Sequence, residues 1–241
     1  MLDFGPARRD SAAMTILLTG GSRGIGAAIA AALSDRSVAV HATRGDFAAD
    51  LANPGAARGL WDRAVAALGS VDVLINNAGV FEANPLDADD AAWTANWERT
   101  QRINLTAAAE LCRLAIRAWQ AAGTGGRIVN VASRAAYRGD SPAHWHYAAS
   151  KAGMVAMTKS IARGYAAEGI LAFAVCPGFT MTGMAEDYLA SRGGDKLLAD
   201  IPLGRVAEPA EVAETVRWLA MQAPASMTGA VLDVNGASYV R

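Results

Sequence analysis

The chain has 241 residues, 52% of them hydrophobic, and a formal net charge of −1, enough to bury a substantial core and consistent with one domain. Its lysines and arginines are spread along the sequence without the basic stripe that nucleic-acid binding needs, and that class is excluded. The longest apolar stretches, AAIAAAL at 27–33 and ILAFAV at 170–175, fall well short of the roughly 20 residues that cross a bilayer, so a soluble, cytoplasmic protein is expected.

Residues 1–14, MLDFGPARRDSAAM, carry neither a signal-peptide core nor a transit-peptide pattern and read as a flexible leader to a single domain over 15–241. From Thr15 onward, short apolar β-branched runs alternate with longer amphipathic ones, the sequence form of an α/β fold. Strands are predicted at Thr15–Leu18, Val38–Ala42, Val71–Ile75, Arg127–Val131, Ile170–Val175 and Ala230–Val234. Each is nearly continuous in apolar residues, as in a parallel sheet covered on both faces. Ile25, Ile29 and Leu33 mark one helical face, and Ile103, Ala107, Leu111, Leu114 and Ala118 another. Pro209 starts a late helix at its first turn, with Val212, Val216 and Leu219 turned inward. The rhythm breaks after Thr43: only a few residues separate the second strand from an extended piece at Phe47–Leu51, whereas a parallel crossover needs about a dozen. The helix that should join those two strands is missing. Residues 44–53 are therefore predicted to be a loop or stunted edge strand beside a six-strand core, with a seven-strand sheet as the alternative.

The first strand runs into TGGSRGIG at Thr19–Gly26. Glycines at 20, 24 and 26 allow a tight strand-to-helix turn, close approach to a pyrophosphate and close helix packing. A helix starting near Arg23 would aim its free N–H groups at that pyrophosphate. The second strand ends in Ala42-Thr43-Arg44, where a fold choosing NAD offers a carboxylate to the ribose. None is present; Arg23 and Arg44 bring positive charge suited to a phosphate, which favours NADP, although Asp46 lies nearby. Near the middle of the chain, Tyr147 and Lys151 stand four residues apart in HYAASKAG, on one face of a helix, downstream of Ser133. A free tyrosine titrates at about 10, and a neighbouring ammonium is expected to lower that value. Cys112 and Cys176 lie far apart without metal-ligand spacing and read as small buried side chains; no metal is expected.

TGGSRGIG, NNAG at Asn76–Gly79, Asn104 in RINLT, Ser133 in VNVASR, YAASK and PGFTMT at Pro177–Thr182 occur in order. Together they make the chain resemble a short-chain dehydrogenase/reductase, most like the 3-oxoacyl-acyl-carrier-protein reductase branch, from about Thr15 to the C-terminal MTGAVLDVNGA. The resemblance implies a Rossmann-like doubly wound sheet, a nicotinamide cofactor and a homotetramer or homodimer. It implies a catalytic set of Asn104, Ser133, Tyr147 and Lys151. In that set Tyr147 is the acid, Ser133 holds the substrate oxygen, Lys151 also holds the nicotinamide ribose, and Asn104 holds a water that links Lys151 to solvent. It places Gly20, Ser22, Arg23, Gly24 and Ile25 on the pyrophosphate, and Thr43, Arg44 and Asp50 at the adenosine. Asn77, Ala78 and Gly79 would lie along the dinucleotide, and Pro177, Gly178, Thr180 and Thr182 would grip the carboxamide.

Residues 181–200, MTGMAEDYLASRGGDKLLAD, suit a small lid. His144 and His146 read as pocket wall or interface rather than proton carriers, and Arg134 and Arg138 as candidate contacts for an anionic substrate. Trp97, Trp119, Met154 and Met157 give two long helices wide apolar faces, divided between core and subunit contact. The expected activity is NADP-dependent hydride transfer between nicotinamide and a ketone or secondary alcohol. The alternatives are an NAD-dependent alcohol dehydrogenase or a non-catalytic dinucleotide-sensing protein of the same fold. Acyl thioesters, sugars, steroids and small diketones all remain open as substrates.

Overall fold

A computed structural model describes residues 14–181 and 198–241. Residues 1–13 of the predicted leader and most of the predicted lid, including Thr182, lie outside the described residues. The elements run β1 (Thr15–Leu18), α1 (Gly24–Ala32), β2 (Ser37–Val40), α2 (Ala56–Leu68), β3 (Val73–Asn76) and α3 (Asp90–Gln101). A π-helical turn (Arg102–Thr106) leads into α4 (Ala107–Ala122), β4 (Gly126–Val131), the short α5 (Ala135–Arg138), α6 (Trp145–Tyr165) and β5 (Ile170–Pro177). The last two numbered elements are α7 (Pro209–Met221) and β6 (Val231–Val234).

The six strands form one parallel sheet in the order β2-β1-β3-β4-β5-β6. Its two faces follow from the period of two along each strand. Leu17, Leu74, Ile128 and Ala172 point into the core shared with α2 and α4. Their neighbours Ile16, Leu18, Val73, Ile75, Val129, Val131, Phe173 and Val175 pack under Ile29, Val212, Val216 and Leu219 of α1 and α7. With both faces covered, each strand needs apolar residues at every position, which is why the runs were continuous. Pro209 occupies the first turn of α7, where its missing N–H costs nothing, and a capping box joins Glu208 to Glu211.

The break after β2 is real. No helix lies between β2 and residues 47–51; the chain turns back at once, and what remains of an edge strand is a single parallel bridge, Ala42 to Ala48. Phe47 and Leu51 still pack into the core, and α2 then carries the chain on to β3. The helical run that carries Trp97 and Leu111 begins at Asp90, where Asp89 caps it by accepting from the Ala92 N–H at 3.0 Å. Trp119 and Met154 are core residues: Trp119 is 3% exposed and its Nε1 donates to the Val71 carbonyl at 2.7 Å, and Met154 is fully buried. Trp97 is half-buried and stacks on Trp93. Both cysteines are free and buried.

Strand order reverses at β1, so the loops after β1 and β3 diverge from a crevice at the carboxyl end of the sheet, where open α/β sheets take their ligands. The candidate site is built there.

Candidate active site at the carboxyl end of the sheet

The turn after β1 is a tight cradle. Gly20 and Gly24 have φ of +69° and +52°, a left-handed conformation that side-chain-bearing residues rarely adopt. A Cβ on Gly26 would lie 1.9 Å from the Gly20 carbonyl, and one on Gly20 would lie 2.7 Å from Ala78. The helix α1 begins at Gly24 with Arg23 at its N-cap, and no side chain caps it. Its first N–H groups therefore face the crevice with the positive end of the helix dipole, a ready site for an anion. This donor set and the space the glycines leave fit the pyrophosphate of a dinucleotide.

The NNAG segment is fastened to this turn. Thr19 Oγ1 accepts from the N–H groups of Asn77 and Ala78, both at 3.0 Å, and Asn77 Nδ2 donates to the carbonyls of Thr19 and Gly20 at 3.2 and 2.9 Å. Ser22 and Arg23 are exposed and Ile25 is half-buried. Thr43, Arg44 and Asp50 all lie exposed at the end of β2 and along the short edge segment, with Asp50 Oδ1 accepting from the Ala52 N–H at 3.0 Å. Among the described residues no carboxylate pairs with Arg23 or Arg44. At the far side, Pro177 ends β5 and Gly178 packs against Asn235 so closely that a Cβ would lie 2.8 Å from it. Thr180 is buried, and its hydroxyl donates to the Gly178 carbonyl at 3.3 Å.

The four residues expected to do chemistry come together between these two walls. Asn104, fully buried in the π-helical turn, accepts from the Val80 N–H at 2.8 Å. Its Nδ2 donates to the Val80 carbonyl at 3.0 Å and to Ser150 Oγ at 3.2 Å. It thus pins the end of the NNAG loop to α6, a role the sequence did not disclose because the partner is backbone. π-turns widen a helix and recur at functional sites. Lys151 is 4% exposed; its Nζ donates to the Val131 carbonyl at 2.9 Å and lies 5.8 Å from the centroid of the Tyr147 ring. Gly79 leaves room for both: a Cβ there would stand 3.3 Å from Asn104 Oδ1 and 3.5 Å from Lys151 Nζ. Tyr147 is half-buried, with the Ser133 side chain close enough to favour its phenolate. Ser133 Oγ accepts from the Ala135 N–H at 3.1 Å, which fixes its rotamer at the start of α5.

The expected acidification of Tyr147 is reversed. Burial pushes the phenol up to about 12, and the Ser133 side chain only partly opposes it. Burial also pulls Lys151 down to about 8. Taking each group out of water disfavours its charge, and Lys151 is not among the groups that shift the phenol.

Phe81, which follows the NNAG loop, meets Tyr147 edge-on with ring centroids 4.8 Å apart, and stacks on His144 at 4.0 Å. His144 Nδ1 is 2.8 Å from Ser141 Oγ. His146 is fully buried beside Trp97, and both its ring nitrogens lack a hydrogen-bond partner among the described residues. Burial lowers the pKa of both histidines. Phe81 was missed in the sequence because nothing in its spacing ties it to Tyr147. Arg134 and Arg138 share Asp200, and Arg134 lies over the Phe179 ring at 4.8 Å; they tie α5 to the segment after 197 rather than standing free for a substrate anion.

Among the described residues no cluster of histidine, cysteine and carboxylate side chains could hold a metal, and no helix is long and apolar enough to cross a membrane. A family model described as Enoyl-(Acyl carrier protein) reductase matches residues 37–237. The chain is 38% identical to cis-4-hydroxycyclohexanecarboxylate dehydrogenase of Sinomonas cyclohexanicum, over 91% of this chain and 94% of that protein. It is 34% identical to the 3-oxoacyl-acyl-carrier-protein reductase of Vibrio cholerae (93% and 96% covered) and 34% identical to the acetoacetyl-CoA reductase of Shinella zoogloeoides (92% and 97%). Fold, crevice and relatives agree: the chain belongs to the short-chain dehydrogenase/reductase family and is an NAD(P)-dependent oxidoreductase.

Proposed function

We propose that this enzyme transfers a hydride between NADP and a ketone or secondary alcohol, with Tyr147 as the acid and base. The observation that carries the reading is the convergence of Tyr147, Ser133, Lys151 and Asn104 beside the glycine cradle. When bound, the nicotinamide supplies or accepts the hydride. The protein's part is the proton and the charge. With its pKa pushed up to about 12, Tyr147 keeps its proton at neutral pH, the form needed to give it to a carbonyl oxygen as that oxygen gains charge. Ser133, held by Ala135, would donate a second hydrogen bond to the same oxygen. Lys151 would hold the cofactor ribose, and Asn104 keeps the loop carrying Gly79 against it.

NADP is favoured because Arg23 and Arg44 are exposed without carboxylate partners among the described residues, at the end of a strand that offers no acid to the ribose. Asp50 would lie by the adenine, and Thr180 and Thr182 by the carboxamide. The substrate is proposed to be an uncharged or weakly anionic carbonyl compound, since Arg134 and Arg138 are already engaged with Asp200. Residues 15–241 would act as one domain with 181–200 as its lid, in a cytoplasmic homotetramer or homodimer. The unpaired cysteines support a reducing compartment. A carbonyl panel that includes cyclic ketones and 3-oxoacyl thioesters, followed by reduced-cofactor absorbance with NADPH and NADH in parallel, tests the reading. Turnover with NADPH well above NADH supports it, a preference for NADH overturns the cofactor assignment, and no turnover across the panel overturns the proposed chemistry.

A further inference from the structure

The glycine cradle is held from below by a residue outside every motif. His41, just past β2, is 5% exposed and has both ring nitrogens engaged. Nδ1 accepts from the Gly20 N–H at 3.0 Å, and Nε2 lies 3.0 Å from the Ala49 carbonyl oxygen. An amide N–H only donates and a carbonyl only accepts, so the ring is neutral with its proton on Nε2. The His41 backbone ties the same parts together: its N–H donates to the Leu18 carbonyl at 2.8 Å, and its carbonyl accepts from the Gly21 N–H at 2.9 Å. The edge it reaches has one bridge, Ala42 to Ala48, in place of a full strand ladder. The imidazole therefore links the cradle directly to this edge segment, which is otherwise held by Phe47 and Leu51 in the core and by Arg63 on the Ala48 carbonyl.

We propose that His41 is a positioning residue for the dinucleotide-binding turn, and that protonating it loosens the turn and weakens dinucleotide binding on the acid side of neutrality. The inference rests on the cofactor reading above. An imidazolium has no acceptor, so a proton on Nδ1 would face the Gly20 N–H and leave that amide unpaired. The turn cannot absorb this freely, because Gly20 is already left-handed and packs so closely on Ala78 that a Cβ would lie 2.7 Å from it. The contacts from β1 and the turn are backbone groups. From α2, Arg63 faces the ring and donates through Nη2 to the Ala48 carbonyl at 2.8 Å; Arg44 and Asp46 lie exposed on the connecting loop. Burial lowers the histidine's pKa, the Ala49 bond opposes that, and Arg63 adds to it. A folded value below the usual one of about 6.5 means the tie is complete above that pH and is lost as pH falls through the folded value.

The test is dinucleotide affinity by tryptophan fluorescence from about pH 5 to about pH 8, with NAD+ and NADP+ titrated separately, for wild type, His41→Asn and His41→Phe. NAD+ is included because the extra phosphate of NADP+ itself titrates at about 6. Wild type should lose about tenfold in affinity toward acid with both dinucleotides, the cost of one orphaned buried donor. His41→Asn keeps an acceptor near the Gly20 amide and cannot titrate, so its NAD+ profile should be flat and close to wild type at about pH 8. His41→Phe should bind about tenfold more weakly at every pH. The same acid-side loss of NAD+ in His41→Asn as in wild type overturns the proposal, and that comparison decides it even if the phenylalanine variant fails to fold. A wild type that binds neither dinucleotide at about pH 8 overturns the cofactor reading and this inference with it.

Discussion

Lys151 Nζ stands 5.8 Å from the centre of the Tyr147 ring while donating to the Val131 carbonyl at 2.9 Å, so the ammonium is anchored to β4 and only neighbours the phenol. Burial lowers it to about 8 and raises the phenol to about 12. In the pH dependence of kcat/KM for ketone reduction, which reports groups of the free enzyme, the alkaline limb should therefore come from the lysine. Activity should hold below about pH 8, where Lys151 is charged, and fall as pH rises through that value. Lys151→Arg keeps a charge that is not lost in this range, and should remove the limb even if the overall rate is lower. A limb unmoved by that substitution would assign the titration elsewhere.

Removing the phenol oxygen separates chemistry from binding. Tyr147→Phe keeps the ring that meets Phe81 edge-on and deletes the proton donor, a loss of about 10²–10⁴-fold in kcat for a general acid. Dinucleotide affinity should stay within about threefold, because the glycine cradle and α1 are untouched; a binding loss matching the rate loss would mean the ring, not its hydroxyl, matters. Ser133→Ala should lower kcat by about 10²-fold, less than the tyrosine change, since it removes one donor to the carbonyl oxygen and leaves the acid in place.

Much of the fold was legible because two-sided burial writes each strand as a continuous apolar run and each helix as a stripe. The gap after Thr43 was also readable, since a crossover has a minimum length, and the structure leaves one bridge there. The four residues of the proposed catalytic set were readable as residue types in a fixed order, and they lie near one another at the carboxyl end of the sheet. Their electrostatics were not: proximity of Tyr147 and Lys151 suggests an acidified phenol, but the sign is set by how much water each loses, a property of the whole crevice. The bracing roles of His41 and Asn104 escaped in a different way. Each acts on backbone amides and carbonyls contributed by distant segments, Gly20 and Ala49 for one and Val80 for the other, and backbone partners leave no trace in residue identity.

Cofactor choice should follow the two exposed arginines at the end of β2 and the start of α1. An Arg-to-phosphate pair is a charge-assisted contact of about 1.5–3 kcal/mol. Arg44→Ala and Arg23→Ala should each raise KM for NADPH by about tenfold or more while moving KM for NADH by less than about threefold. Combining Arg23→Ala with Arg44→Asp should shift preference toward NADH, because the added carboxylate repels a phosphate and can accept from ribose hydroxyls. Equal changes with both cofactors would show that these arginines act on the shared parts of the dinucleotide.

A chain of buried polar side chains crosses the sheet beneath the site. Asn76 Nδ2 donates to Asn130 Oδ1 at 2.9 Å and to Cys112 Sγ at 3.3 Å; Asn130 Nδ2 donates to Thr158 Oγ1 at 2.8 Å, which in turn donates to the Met154 carbonyl at 2.8 Å. It joins α4, β3, β4 and α6, the elements that carry NNAG, Ser133 and the Tyr147–Lys151 pair. Asn130→Ala would leave the Asn76 amide only the Cys112 sulfur as acceptor, take a donor from Thr158, and leave a cavity in a place water does not reach. Unsatisfied buried donors cost about 1–3 kcal/mol each, so the variant should be less stable by about 2–4 kcal/mol in urea unfolding, with m unchanged if the native fold persists. Asn76→Ala should cost a similar amount, and the double variant less than the sum of the two, because each single change orphans the other's partner. Strict additivity would mean the two amides hold the sheet independently, and the ladder would then be a row of separate contacts rather than one linked brace under the proposed catalytic residues.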